Sequence, residues 1–136
     1  MLVYAHRADS EWHDRAAPRL RGLAEGRAAW AIPWPCIHEF LAVVTHPRVY
    51  APPTPTRQAL AQVDAWLEAP TLLLLGESTD HWQAVRPLLE AGKVAGPRVH
   101  DARIAALCVT HGVDVLWTAD RDFGRFPALV TANPLT

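Results

Sequence analysis

The sequence predicts an α/β fold, a three-layer sandwich with a central parallel sheet. Two observations lead to this prediction: short apolar runs alternate with amphipathic segments, and the runs are apolar throughout, without period-two alternation. Strands of that kind are buried on both faces, which is typical of a parallel sheet covered by helices. Because no repeat or low-complexity tract divides the 136 residues, we expect one domain, 1–136.

The predicted elements follow from apolar spacing and from turn and cap residues. The strands are Leu2–Ala5, Ala28–Ile32, Thr71–Leu75, Val113–Thr118 and Leu129–Thr131. Early in the chain we expect one helix that is capped by Ser10 and kinked at Pro18, and a second that begins at Trp34. The later helices are Arg57–Ala69, one that is capped by Ser78 or Thr79 and ends at Gly92, and Arg98–His111.

The apolar spacing also predicts which helix faces are buried. Helix 57–69 is expected to bury Leu60, Val63 and Leu67, with Thr56 as its cap. The next helix is expected to bury Trp82, Val85, Leu88 and Leu89. Between Ala51 and Thr56 the prolines predict an irregular connection, and Asp120–Phe126 is expected to form a polar turn.

Composition and charge limit the function classes. No apolar run reaches membrane-spanning length and no signal peptide is recognisable, so we expect a cytoplasmic protein. Cys36 and Cys108 form no CxxC pair and are expected to be reduced core thiols. The formal charge of −1 argues against nucleic-acid binding over the whole surface. Lys93 is the only lysine, however, and arginine is the better side chain for bidentate phosphate contacts.

Carboxylates are expected to converge at one edge of the sheet. Ligands of parallel α/β sheets bind beyond the carboxyl ends of the strands. Asp120 and Asp122 follow a predicted strand, Asp101 lies in the first turn of helix 98–111, and Glu39 lies in the first half of the helix that begins at Trp34. Each residue alone has an ordinary structural explanation, such as a turn or a helix dipole. Their conjunction favours a functional site.

Such a cluster predicts a site for a divalent ion. Crowded carboxylates repel one another unless cations lie between them, and oxygen ligands suit Mg²⁺ or Mn²⁺. An ion of this kind activates water for phosphodiester hydrolysis. Four arginines are interleaved with these acids in the sequence and are candidates for binding the phosphate backbone: Arg98, Arg103, Arg121 and Arg125.

Three segments resemble the PIN-domain family, in particular the VapC-like toxins of bacterial type II toxin–antitoxin systems. The stretch 37–49 is similar to the family segment that supplies the second acid, Glu39 in this chain. His100–Leu107 resembles the family's DAxxAAL helix, and Thr118–Phe126 resembles its T-x-D-x-D-F-x-R-F turn. The closing Asn133-Pro134-Leu135 is also typical of one VapC-like branch, so the resemblance covers nearly the whole chain.

The resemblance implies a Mg²⁺- or Mn²⁺-dependent endoribonuclease. It further implies a homodimer that is neutralised by a small antitoxin protein. Asp101 and Asp120 would be metal ligands, Glu39 a ligand or a supporting group, and Asp122 an auxiliary carboxylate. The hydroxyl of Thr118 would hold a carboxylate or a water molecule.

One departure concerns the family's first acid, which lies in a D-x-N-x-L-x-Y-A pattern at the end of the first strand. This chain matches that pattern only from Met1 to Ala5, so the aspartate would fall about three positions before residue 1. Either the start lies at an internal methionine or the protein lacks that acid. The sequence therefore leaves three hypotheses: an active ribonuclease toxin, a catalytically impaired module that binds antitoxin or RNA, and an unrelated phosphohydrolase.

Overall fold

Helices and short strands follow one another along the whole chain in a computed structural model that describes all residues, Met1–Thr136. This order confirms the predicted α/β class. Two 3₁₀ turns, Gly96–Arg98 and Arg121–Arg125, flank the last helix and the third strand. The elements are α1 (Leu2–His6), α2 (His13–Glu25), β1 (Trp30–Pro33), α3 (Trp34–Val44), α4 (Thr56–Leu67), β2 (Leu72–Leu75), α5 (His81–Ala91), α6 (Val99–Thr110), β3 (Leu116–Trp117) and β4 (Thr131–Ala132).

The strands pair in parallel, as the sequence predicts, but in two separate ladders. Strand β1 pairs with β2, from Trp30 opposite Leu72 to Pro33 opposite Leu75. Strand β3 pairs with β4, with Leu116 opposite Thr131. Each ladder has two strands, so the sheet is divided between β1 and β3.

The first predicted strand is wrong, because Leu2–His6 forms helix α1. The amide of Ala5 donates to the carbonyl of Met1 at 3.0 Å, which is a helical hydrogen bond. Leu2, Val3 and Ala5 pack on the apolar core formed with α2 and α3. A run of four apolar residues is too short for periodicity to distinguish a strand from a helix.

A cavity of about 880 Å³ separates the two ladders. On the edges of β1 and β3 that border the cavity, backbone amide and carbonyl groups point away from the paired strand. The amide of Trp30 donates to Thr71, so the backbone of Ala31 faces the cavity side of β1. Likewise the amides of Leu116 and Thr118 donate to the carbonyls of Val130 and Ala132, and the backbone of Trp117 faces the other way. The cavity therefore lies between two free strand edges and is lined mainly by apolar residues.

Two apolar clusters form the core, one on each side of this cavity. The first joins α2, β1, α3 and α4 around Phe40, whose ring centroid lies 4.7 Å from that of Trp66. The second joins α5, α6 and the 121–125 turn around Phe126. Cys36 packs against both clusters, so helix α3 connects the two halves.

The predicted faces of two helices need correction. In α4, Leu60 and Leu67 are 49% and 41% exposed, while Ala59, Val63 and Trp66 are buried. The contact between Trp66 and Phe40 turns that face inward. In α5, Trp82 is 61% exposed and Val85 is the buried residue.

The predicted caps of α4 and α5 are also displaced. Thr56 is the first residue of α4, and the position before the helix is Pro55. The hydroxyl of Ser78 accepts from the amide of Asp80 in a turn, so α5 begins only at His81. Ser10 likewise holds the amide of Trp12 before α2 begins at His13, and Pro18 lies inside that helix.

The remaining predicted boundaries are close to the observed ones. Helix α6 matches its prediction within one residue at each end, and helix α3 begins at the predicted residue, Trp34. Strand β3 is shorter than predicted, since only Leu116 and Trp117 pair with β4. None of the helices has the length and apolar character that a membrane crossing requires.

Candidate active site

The turn after β3 fixes Asp120 by local hydrogen bonds. The hydroxyl of Thr118 accepts from the backbone amide of Asp120 at 3.0 Å. Oδ1 of Asp120 in turn accepts from the amide of Asp122 at 2.9 Å and caps the 3₁₀ turn. Thr118 therefore orients the backbone of Asp120; the contact with a carboxylate or a water molecule that the family resemblance implies stays a prediction. The second carboxylate oxygen, Oδ2, remains for another ligand.

Asp101 lies in the first turn of α6, as predicted, and faces the turn after β3. Its side chain is 24% exposed. Burial raises the pKa of Asp101, and the negative charges of Asp120 and Asp122 raise it further, while Arg98 acts in the opposite direction. The three aspartates therefore share one electrostatic environment, and the crowding of their charges is the expected sign of a site for a cation.

Glu39 lies in the second turn of α3 and lines the same cavity as Asp101 and Asp120. The amino group of Met1 lines this cavity too, and its pKa responds to the charge of Glu39. Burial lowers the pKa of that amino group, and the nearby Cys36 and Glu39 oppose the shift. Three of the predicted carboxylates thus face one cavity. No three acidic, histidine or cysteine side chains lie close enough to hold one metal ion together.

The four candidate arginines differ in what they contact. Arg98 forms ion pairs with Asp101 and Asp122 inside the carboxylate group. Arg103 forms an ion pair with Glu77, away from that group. Arg121 and Arg125 are exposed in the turn after β3.

Glu77 is a charged residue that the sequence reasoning missed. It follows β2 by two positions and pairs with Arg103, and it lies 3.9 Å from the ring of His81. The Arg103 guanidinium holds the pKa of Glu77 below its usual value. The rule that identified Asp120, a polar residue just beyond the carboxyl end of a strand, would also have identified Glu77.

The donor set at this edge matches a hard divalent ion in chemistry. Asp101 and Asp120 supply carboxylate oxygens, which are the ligands that Mg²⁺ and Mn²⁺ prefer. The exposed arginines beside them suit the negative charge of a phosphate backbone. Carboxylates for cations and arginines for phosphate define the class of site that a phosphodiesterase requires.

Comparison with known proteins gives the family. The PIN domain family model matches residues 1–129, and the chain therefore belongs to the PIN domain family. Ribonuclease VapC43 of Mycobacterium tuberculosis is 36% identical over 99% of this chain and 91% of its own length. Ribonuclease VapC48 of the same species is 29% identical over 100% of this chain and 94% of its own length. Ribonuclease VapC37 of the same species is 30% identical over 98% of this chain and 92% of its own length.

Proposed function

We propose that this protein is a divalent-metal-dependent endoribonuclease and the toxin of a bacterial toxin–antitoxin pair. Full-length similarity to proteins named VapC ribonucleases supports the activity class. The observation that supports this particular site is the cavity lined by Glu39, Asp101 and Asp120. The RNA phosphodiester bond is the substrate in this proposal.

Each side chain has a stated role in the proposed reaction. Asp101 and Oδ2 of Asp120 would hold Mg²⁺ or Mn²⁺, and Asp122 would add negative charge nearby. When bound, the ion lowers the pKa of a water molecule and so supplies the attacking hydroxide. Glu39 lines the same cavity and would be a ligand or a supporting group. Thr118 keeps Asp120 in place through its backbone amide.

The arginines divide between substrate binding and charge balance. Arg121 and Arg125 are free to contact the phosphates that flank the scissile bond. Arg103 would join them only by leaving Glu77, and Arg98 only by leaving the aspartates. Phosphate binding by the free arginines requires no such exchange, so it does not depend on a metal ion.

A second function, binding without cleavage, is favoured by one observation. No three of the candidate ligand side chains lie close enough to hold one metal ion together. An impaired PIN module would still bind RNA or an antitoxin through the same arginines and cavity. A cytoplasmic homodimer that is neutralised by its antitoxin belongs to the first proposal, and a single domain over residues 1–136 belongs to both.

RNA cleavage and RNA retention distinguish the two functions. Labelled RNA is incubated with excess protein and Mn²⁺, and products are followed on a gel while filter binding records retention. The endoribonuclease proposal predicts slow cleavage that EDTA, Asp101→Asn or Asp120→Asn abolishes. Glu68→Gln, at an exposed position beyond α4, is the matched control and should cleave normally. Retention with no metal-dependent product would instead support the binding module.

A further inference from the structure

Arg98 lies between two carboxylates of the candidate site. Its Nη1 is 3.5 Å from Oδ2 of Asp101 and forms an ion pair with Oδ2 of Asp122. One nitrogen therefore contacts oxygen atoms from α6 and from the 121–125 turn. The guanidinium therefore partly neutralises two carboxylates of the candidate site.

The contacts of Arg98 are of a kind that can be exchanged. The side chains of Arg98, Asp101 and Asp122 are 40%, 24% and 38% exposed, so water and salt weaken the ion pairs. The guanidinium can move outward into solvent because the Arg98 side chain is 40% exposed. A divalent ion, with twice the charge of a guanidinium, is a strong competitor for the same oxygens.

We propose that Arg98 is an internal competitor for divalent cations at this site. Its guanidinium neutralises Asp101 and Asp122 when no ion is bound, and it leaves Asp101 when an ion binds there. This inference rests on the proposed function and adds a regulatory element to the same site. The affinity for the ion is consequently lower than the carboxylates alone would give, because binding of the ion breaks ion pairs of Arg98.

Mn²⁺ titration calorimetry on the metal-free protein tests the competition. Arg98→Gln should lower the dissociation constant for Mn²⁺ by about fivefold, the upper range expected for an exposed ion pair. Arg98→Lys keeps the charge and should stay within about twofold of the wild type. Arg103→Gln is the matched control: it removes the same charge from α6, the helix that directly follows Arg98, but its partner Glu77 lies outside the site.

Weaker or unchanged Mn²⁺ binding by Arg98→Gln would overturn the inference, and so would equal tightening by Arg103→Gln, which would indicate net charge alone. Asp101→Asn separates this failure from failure of the proposed function. If Asp101→Asn abolishes binding while Arg98→Gln changes nothing, only the role of Arg98 is wrong. If Mn²⁺ binds equally with and without Asp101, the proposed metal site is wrong, and the inference fails with it.

Discussion

Replacing Asp101 with asparagine should stabilise the metal-free protein. Burial and the neighbouring aspartates raise the pKa of Asp101, so its ionised form is less favourable in the folded state than in the unfolded chain. The ion pair with Arg98, at 3.5 Å, offsets part of this cost. We therefore expect a net gain of about 0.5 kcal/mol at pH 7, or about 2 °C in melting temperature.

Because ionised Asp101 destabilises the folded protein, the stability gain from Asp101→Asn depends on pH. For a carboxyl group with a raised folded pKa, ionisation destabilises the protein fully above that pKa. The penalty decreases as the pH falls through the folded value and is gone below the ordinary value of 3.8. The advantage of Asp101→Asn should therefore be present at pH 7 and absent at pH 3.

Metal ions should reverse the order of stability: in Mn²⁺ the wild type should melt at a higher temperature than Asp101→Asn. Mn²⁺ at ten times its dissociation constant stabilises the wild type by about 1.4 kcal/mol, or about 5 °C, because it binds only the folded state. Asp101→Asn should lose most of this gain. Thermal melts in EDTA and in Mn²⁺ measure both effects, with Asp64→Asn on the exposed side of α4 as the matched control. The reasoning is refuted if Asp101→Asn melts below the wild type in EDTA or gains equally from Mn²⁺.

Two further predictions concern the core and the thiols. Phe40→Ala should cost about 3–5 kcal/mol in denaturant unfolding because Phe40 is 1% exposed, whereas Trp82→Ala, at 61% exposure, should stay within about 0.5 kcal/mol; similar losses would contradict the core assignment. Burial raises the pKa of Cys36 to about 12 and that of Cys108 to about 11, so a disulfide reagent at pH 8 should label both only after unfolding in urea. Rapid labelling of the folded protein would contradict that burial.

Sequence patterns predicted the elements that have strong local signals. Helices α3 and α6 have a clear start and several apolar residues at helical spacing, so their bounds were close. The run Leu2–Ala5 has no such signal, and its helical form depends on packing against α2 and α3. The buried faces of α4 and α5 were partly wrong because tertiary contacts, such as Trp66 on Phe40, decide which residues turn inward.

The approximate position of the candidate site was also predictable from the sequence. Asp120 and Asp101 follow from the rule that ligands bind beyond the carboxyl ends of parallel strands, and Glu39 lines the same cavity. The partners of the arginines were not predictable. Pairing of Arg98 with Asp122 and of Arg103 with Glu77 joins residues 24 and 26 positions apart, and depends on how α6 lies against two turns.

The cavity that the carboxylates line is also lined by Met1. The amino group of Met1 lies in the cavity beside Glu39, between the free edges of β1 and β3. An apolar strand fused before Met1 would enter this cavity, and its backbone would face Ala31 and Trp117. If the fused strand ends in Asp-x-Asn, its aspartate falls three positions before residue 1, near the other carboxylates.

The central proposal is that these carboxylates belong to a ribonuclease site and that an additional acidic ligand from a preceding strand would speed cleavage. Single-turnover cleavage of RNA in Mn²⁺ is compared for residues 1–136 and for the chain extended by such a strand, with Asp120→Asn in the extended chain as the blank. A matched extension that ends in Asn-x-Asn controls for the strand itself. The account predicts that the Asp-x-Asn extension cleaves at least about a hundredfold faster than the other forms. Equal, metal-dependent rates for the short and extended chains would contradict it.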